Sequence, residues 1–358
     1  MLAQRPSGRS GSRIVSRPIL PLEPQQALVV TGSENWNPDD RTLGRAAIHP
    51  LQVLTADGVR PVHRLDSLGV HGIRDLVAID DDHVAITTGH DLVVLDLDTG
   101  LIEEWDLPEA ADLHELAATS HGLVAANTGH DEGLVITLDG LIVRRIGLDG
   151  YRHASAQPIA HDRPLGGILP GGPKPIRDDH FHFNQLAVGH DDHLLAVVHH
   201  STGYRPTVHL RQRLTGHGDG AVIDTDAGRV HRLGLRAPHS LRRTPEGGYA
   251  ILDSGRSELV VYGADWTELH RWSSHGWGRG LALGASVWYA GVSPTRKRYL
   301  NPGEASGSAA VIAIDPNSGA QLGRWDVDGV EQVWSVHLID ETTANRLTAL
   351  DNLDTPLS

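Results

Sequence analysis

Short runs of alternating apolar and polar residues recur along the chain, each bounded by a polar turn, and helical spacing of apolar positions is weak throughout. Residues 85–91 read AITTGHD and residues 125–131 read AANTGHD, a repeat of 40 residues. Each is followed by an apolar strand and then a turn, Asp98-Thr99-Gly100 or Asp139-Gly140. Degenerate copies stand at 194–203 (LLAVVHHSTG), 251–265 (ILDSGRSELVVYGAD) and 287–293 (VWYAGVS). Ahead of each comes a short segment carrying Leu or Ala: RDLVAID at 74–80, HELAATS at 114–120, NQLAVGH at 184–190, HSLRRTP at 239–245 and RGLALGA at 279–285. Four short strands per unit of this length is the pattern of radially repeated sheets.

Five complete units begin near His71, His114, His182, His239 and Arg279. A sixth is split: VWSVHLID at 333–340 reads as an innermost strand without followers, while ALVVTGS at 27–33 and AIHPLQVLT at 47–55 read as followers without one. The expected fold is therefore all-β, a six-bladed β-propeller closed by pairing of C-terminal and N-terminal strands, which leaves no free sheet edge. One domain spans 25–345, between a flexible N-terminal tail at 1–24 and a C-terminal tail at 346–358.

Composition narrows the partners. With 31 Lys and Arg against 45 Asp and Glu, the formal charge of -14 argues against nucleic acid. There is no Cys, so disulfides and thiolate chemistry are excluded. The first 24 residues hold no apolar run of signal-peptide or membrane-spanning length, and the expectation is a cytoplasmic protein with a small-molecule partner. Histidine, at 23 residues, is the unusual component.

Long inserts at 34–46, 150–180, 201–220 and 294–308 fall in the two connection classes that emerge on one face of a propeller, the usual place for a site. At that face the innermost strands open with Arg74, His114, Asn184, His239, Arg279 and Trp334, preceded by His71, Asp112, His180, His182, Trp277 and Glu331. Three neutral imidazoles from separate strands can hold Fe, Zn, Cu or Mn with a position left open. His114, His182 and His239 form the expected ligand set for such a divalent transition metal. His71 is a fourth ligand candidate and, with Glu115 and Glu331, a candidate for acid or base work. Arg74 and Arg279 suit a carboxylate or phosphate, with Asn184, Trp334 and His199 as further substrate contacts. The repeated Gly-His-Asp turns read as blade buttresses.

The segments HFNQLAV (182–188), APHSLRR (237–243) and LDSGRSELVVYGAD (252–265) resemble an uncharacterised bacterial propeller family. More distantly they are similar to the gluconolactonase, strictosidine-synthase and paraoxonase superfamily of six-bladed propellers. The resemblance implies a metal site in the channel, held in the lactonase branch as calcium on Glu, Asn and Asp. Asn184 matches one such position, whereas His114 and His239 stand where hard oxygen ligands belong, which points to a softer metal. Three functions follow as expectations. The first is a metal-dependent enzyme acting on a small polar or anionic molecule. The alternatives are a metal-free acid–base enzyme using the same histidines, and a ligand-binding or scaffold propeller without turnover.

Overall fold

A computed structural model describes residues 22–23, 25–33, 49–69, 72–89, 91–107, 110–159, 179–294 and 308–353. Strands dominate. Three open the chain, β1 (Gln26–Ser33), β2 (Leu51–Thr55) and β3 (Gly58–Pro61). Next come β4 (Asp75–Ala78), β5 (His83–Thr87), β6 (Leu92–Asp96) and β7 (Ile102–Trp105). They are followed by β8 (Leu113–Thr119), β9 (Gly122–Asn127), β10 (Glu132–Ile136) and β11 (Ile142–Gly147). Then stand β12 (Phe183–Val188), β13 (Leu194–Val198), β14 (Gly220–Asp224) and β15 (Arg229–Leu235), with helix α1 (Pro206–Thr215) between β13 and β14. The next four are β16 (Pro238–Arg243), β17 (Tyr249–Asp253), β18 (Glu258–Tyr262) and β19 (Glu268–Ser273). The last are β20 (Trp277–Leu283), β21 (Trp288–Ser293), β22 (Ala310–Ile314), β23 (Gln321–Asp326) and β24 (Gln332–Asp340), ahead of helix α2 (Glu341–Ala349).

The strands form sheets ordered β4-β5-β6-β7, β16-β17-β18-β19 and β20-β21-β22-β23, and an eight-stranded sheet runs from β11 through β8 and β12 to β15. Its halves meet at a parallel pairing of Gln185 with Glu115. The remaining sheet, β24-β1-β2-β3, pairs the last strand antiparallel with the first, from Gln26↔Asp340 to Ser33↔Gln332. Alternation gives way to continuous burial where a strand is covered on both faces: β9, β17 and β22 are buried at every residue. The outer strands β7, β11, β19 and β23 carry exposed charges, which discourages edge pairing with another chain.

Consecutive sheets pack face to face. Leu252 and Val261 meet Leu281, Trp288 and Ile312, and Leu28, Val30 and Leu54 meet Tyr289, Val311 and Val336. Val29 and Val53 in turn meet Leu76, Ile86 and Leu95, so apolar clusters link the last sheet to the first and the first to the second. Residues 346–353 of the expected C-terminal tail stay docked: Leu347 and Leu350 are fully buried in that same cluster, and Asp340 caps α2 by accepting from the Thr343 amide at 2.7 Å. No helix among the described residues is long and apolar enough to cross a membrane.

Candidate functional site

The strands nearest the axis begin at one end of the molecule, and two backbone devices shape that end. Gly72, Asp112, His182 and Ala237 adopt positive φ (85°, 54°, 50° and 57°), two residues ahead of Arg74, His114, Asn184 and His239. Each turns the chain sharply into its strand, at about 1 kcal/mol for the residues that carry a Cβ. The innermost strands then lose register just after they start: between Leu113 and Leu116, Phe183 and Gln185, His239 and Arg242, and Gly278 and Leu281, and at Trp334 in β24. A bulge leaves residues outside the ladder and re-aims their side chains. Among the residues so released are His114, Asn184, Arg279 and Trp334, which the alignment of repeats placed at the mouth.

Those side chains do converge. The Trp334 ring lies between two guanidiniums, Arg74 at 3.7 Å and Arg279 at 3.9 Å from its centroid. The π faces offset the repulsion between the two cations, each contact contributing about 0.5–2 kcal/mol. Trp334 Nε1 donates to Ser33 Oγ, which fixes the ring. His114 meets the Trp334 edge at 5.5 Å between centroids, and a chain of imidazoles continues from it: His114–His182 at 6.2 Å, His182–His199 at 4.4 Å and His199–His239 at 5.2 Å.

Second partners orient these rings. His239 Nδ1 lies 2.9 Å from the carbonyl of Ala237, which can only accept, so the lone pair of a neutral ring sits on Nε2. His182 Nδ1 bonds the fully buried Asp179 carboxylate at 3.0 Å, with the same consequence. His199 Nε2 is buried with no hydrogen-bond partner among the described residues, as is Asn184 Oδ1, although Asn184 Nδ2 donates to the Pro238 carbonyl at 2.9 Å. Asp112 faces Arg74 at 3.3 Å and His114 Nε2 at 3.4 Å. Burial opposes its ionisation, but His114 and Arg74 hold its carboxyl well below the usual range. Burial lowers His114 to about 4 against the pull of Asp112, lowers His200 to about 3, and takes His199 well below an ordinary histidine, helped by His182, His239 and Arg279.

Below the imidazoles lies a different tier. Glu115 accepts from Ser240 Oγ at 2.6 Å and from Arg242 at 3.1 Å, while Ser240 Oγ accepts from the Gly280 amide at 2.9 Å. Gln185 accepts from the Leu241 amide at 2.6 Å, and Thr31 Oγ1 meets Ser335 Oγ at 2.7 Å. Asp75, fully buried, accepts from the amides of Leu76 (2.9 Å) and Leu116 (2.7 Å) and from His337 Nε2 (2.6 Å). Burial pushes the Asp75 carboxyl up, yet the His337 contact holds it below its ordinary value. Burial pushes Glu115 up despite Arg242.

Of the residues singled out in the sequence, Arg74, His114, His182, Asn184, His199, His239, Arg279 and Trp334 stand at this mouth. Glu115 belongs to the tier beneath it, and Glu331 is exposed, its amide bonded to the Ser33 carbonyl at 3.0 Å. His71, the insert at 34–46, residues 160–178 of the insert at 150–180 and residues 295–307 of the insert at 294–308 lie outside the described residues. Asp179 and Ser254, whose hydroxyl lies 2.8 Å from His239 Nδ1, had gone unnoticed; the Asp-x-x-His spacing of 179–182 is the signal for the first. The Asp of the Gly-His-Asp turn at 129–131 is a buttress: Asp131 accepts from the amides of His180 and Phe181, tying one repeat to the next. Among the described residues, the only trio of metal-ligating side chains with donor atoms all within 4.8 Å is elsewhere, at His49, His63 and Asp66.

The architecture defines a β-propeller. Known structures agree in fold. A nidogen/laminin complex aligns over 88% of this chain and 99% of that chain with a TM-score of 0.55 at 9% identity. A protein of unknown function from Bacteroides caccae aligns over 88% and 99% with a TM-score of 0.54 at 12% identity. Virginiamycin B lyase from Staphylococcus aureus aligns more loosely, over 80% and 79%, with a TM-score of 0.46 at 12% identity. Gluconolactonase-like and 6-phosphogluconolactonase-like propellers also match, at TM-scores of 0.45 and 0.48. At such identities the two structures with TM-scores above 0.5 show the fold alone. No family model matches the chain, and no curated protein does.

Proposed function

We propose that the protein is an enzyme acting on a small anionic molecule at the axial mouth, where His182, His199 and His239 hold a divalent transition metal of the Zn, Fe, Cu or Mn group. On this proposal the sheets are six blades, the eight-stranded sheet counting as two, and β24 beside β1 closes the ring. The run His182–His199–His239 carries it. The rings are 4.4 and 5.2 Å apart, and ring centres in a tetrahedral site with Zn–N bonds of about 2 Å lie about 5 Å apart. The flanking rings are anchored through Nδ1, the second-partner pattern of ligating histidines, and the central Nε2 is buried without a hydrogen-bond partner among the described residues. His199 thus replaces His114 in the ligand set expected from the sequence, because His114 turns to Asp112 and Trp334.

When bound, the metal would polarise the substrate and activate water. Arg74 and Arg279 orient the anionic group, and His114, kept neutral by burial, takes up or returns a proton at its ring nitrogen with Asp112 beside it. Glu115 positions Ser240 and Arg242 from below. One observation favours a second reading, metal-free acid–base chemistry on the same residues: among the described residues, no three of the axial imidazoles bring their nitrogens within 4.8 Å of one another.

Anomalous scattering from crystals of protein purified without a histidine tag separates the two. A transition-metal peak among His182, His199 and His239 that disappears in His199→Ala is the expected result. No peak, together with an anionic ligand bound at Arg74 and Arg279, would favour the metal-free enzyme. A mouth that takes neither metal nor anion would leave a scaffold propeller and overturn the proposal.

A further inference from the structure

We infer that a second, separate divalent-metal site lies on the rim, built from His49, His63 and Asp66. It does not depend on the axial proposal. His63 and Asp66 share one face of the 3-10 turn His63–Gly69, where residues three apart eclipse. His49 comes from the segment just ahead of β2, and its ring stands edge-on to that of His63 with centroids 4.7 Å apart. Asp66 Oδ2 lies 3.6 Å from His49 Nδ1 and 3.5 Å from His63 Nδ1.

These separations are too long for good hydrogen bonds and close to what one metal imposes. Two donors about 2 Å from a tetrahedral ion lie about 3.3 Å apart. His49 Nδ1 and Asp66 Oδ1 are moreover buried atoms with no hydrogen-bond partner among the described residues. An exposed His–Asp contact alone is worth little, so neither histidine gains much from facing the carboxylate without a cation between them. Two imidazoles with one carboxylate favour zinc or a similar transition ion over calcium or magnesium.

The supports are rigid. The Asp351 carboxylate accepts from the amides of His63 (3.2 Å) and Arg64 (2.7 Å), holding the turn from the C-terminal side. The His49 carbonyl accepts from Gln52 Nε2 at 3.1 Å, and the same amide donates to the Asp328 carbonyl at 2.6 Å. A metal here would fasten the chain ahead of β2 to the connection after β3, where segments from both ends of the sequence meet. Three protein ligands leave a coordination position open to water.

The probe is Zn²⁺ alone, added to metal-stripped, tag-free, full-length protein carrying His199→Ala, which removes the axial contribution. Native mass spectrometry should find one Zn²⁺ per chain, and Co²⁺ in its place should give the visible absorption of a low-symmetry nitrogen–oxygen site. Adding Asp66→Asn, or His63→Gln as a second and equally conservative change, should abolish both signals while far-UV circular dichroism stays unchanged. Failure of the His199→Ala protein to bind Zn²⁺, or Zn²⁺ binding that survives both rim substitutions, would overturn the inference. If only the axial proposal fails, wild type and His199→Ala will hold the same single Zn²⁺, lost on Asp66→Asn.

Discussion

The two tiers of polar side chains along the axis are built from neighbouring residues of the same strands, yet they differ in one respect. In the lower tier the donors and acceptors of Asp75, Glu115, Gln185, Ser240 and Thr31 answer one another across strands. At the mouth, only one bulge away, His199 Nε2 and Asn184 Oδ1 are buried and unanswered among the described residues. Folding tolerates few such groups, because each costs about 1–3 kcal/mol. Full satisfaction marks a tier that holds the blades together. Incomplete satisfaction marks one shaped for something that arrives later.

Breaking the lower tier should have the largest effect. Asp75→Ala strands His337 and two amides, and an unfolding free-energy loss of about 3–5 kcal/mol is expected from denaturant titration. A loss within 1 kcal/mol, roughly the value of an exposed pair, would remove the distinction between the tiers.

Acid should separate them next. Burial holds His114 at about 4 and His200 at about 3, whereas an unfolded histidine titrates near 6.5. As pH falls below about 6.5 the unfolded chain therefore takes up protons that the folded mouth refuses. Stability from these groups is complete above that pH and is lost as it falls towards about 4, by about 3 kcal/mol at most for His114. Asp75, held below its ordinary value, contributes above about pH 4 and loses its share only below that. Unfolding measured against pH in chelator should show the upper window, and His114→Asn should flatten it; an unchanged slope in that variant would contradict the assignment.

The smallest expected change in stability is at the centre of the mouth. His199→Leu replaces an unanswered buried nitrogen with apolar surface, so metal-free stability should stay within about 1 kcal/mol of wild type or rise. Metal uptake at the axis should nevertheless vanish. A loss comparable to that of Asp75→Ala would mean that His199 supports the fold.

Much of this was legible beforehand because repeats and alternation are local properties. AITTGHD and AANTGHD, 40 residues apart, announced repeated sheets, and aligning the units brought Arg74, His114, His239, Arg279 and Trp334 to equivalent places. The proposed ligand set was less legible. His199 directly follows β13, a second strand, and the alignment ranked residues that begin innermost strands. The rim trio escaped because His49 and His63 stand on either side of two strands, in connections that no repeat relates.

By itself the sequence determined which segments form strands and which polar residues stand at the openings of the innermost strands, since both follow from the order of apolar and polar positions. Which of those polar groups find partners was decided only by the tertiary structure. A hydrogen bond between Ser240 and Glu115, 125 residues apart, and the lack of one at His199 Nε2 depend on where bulges and left-handed turns aim side chains from separate sheets. No local pattern fixes that distance or direction.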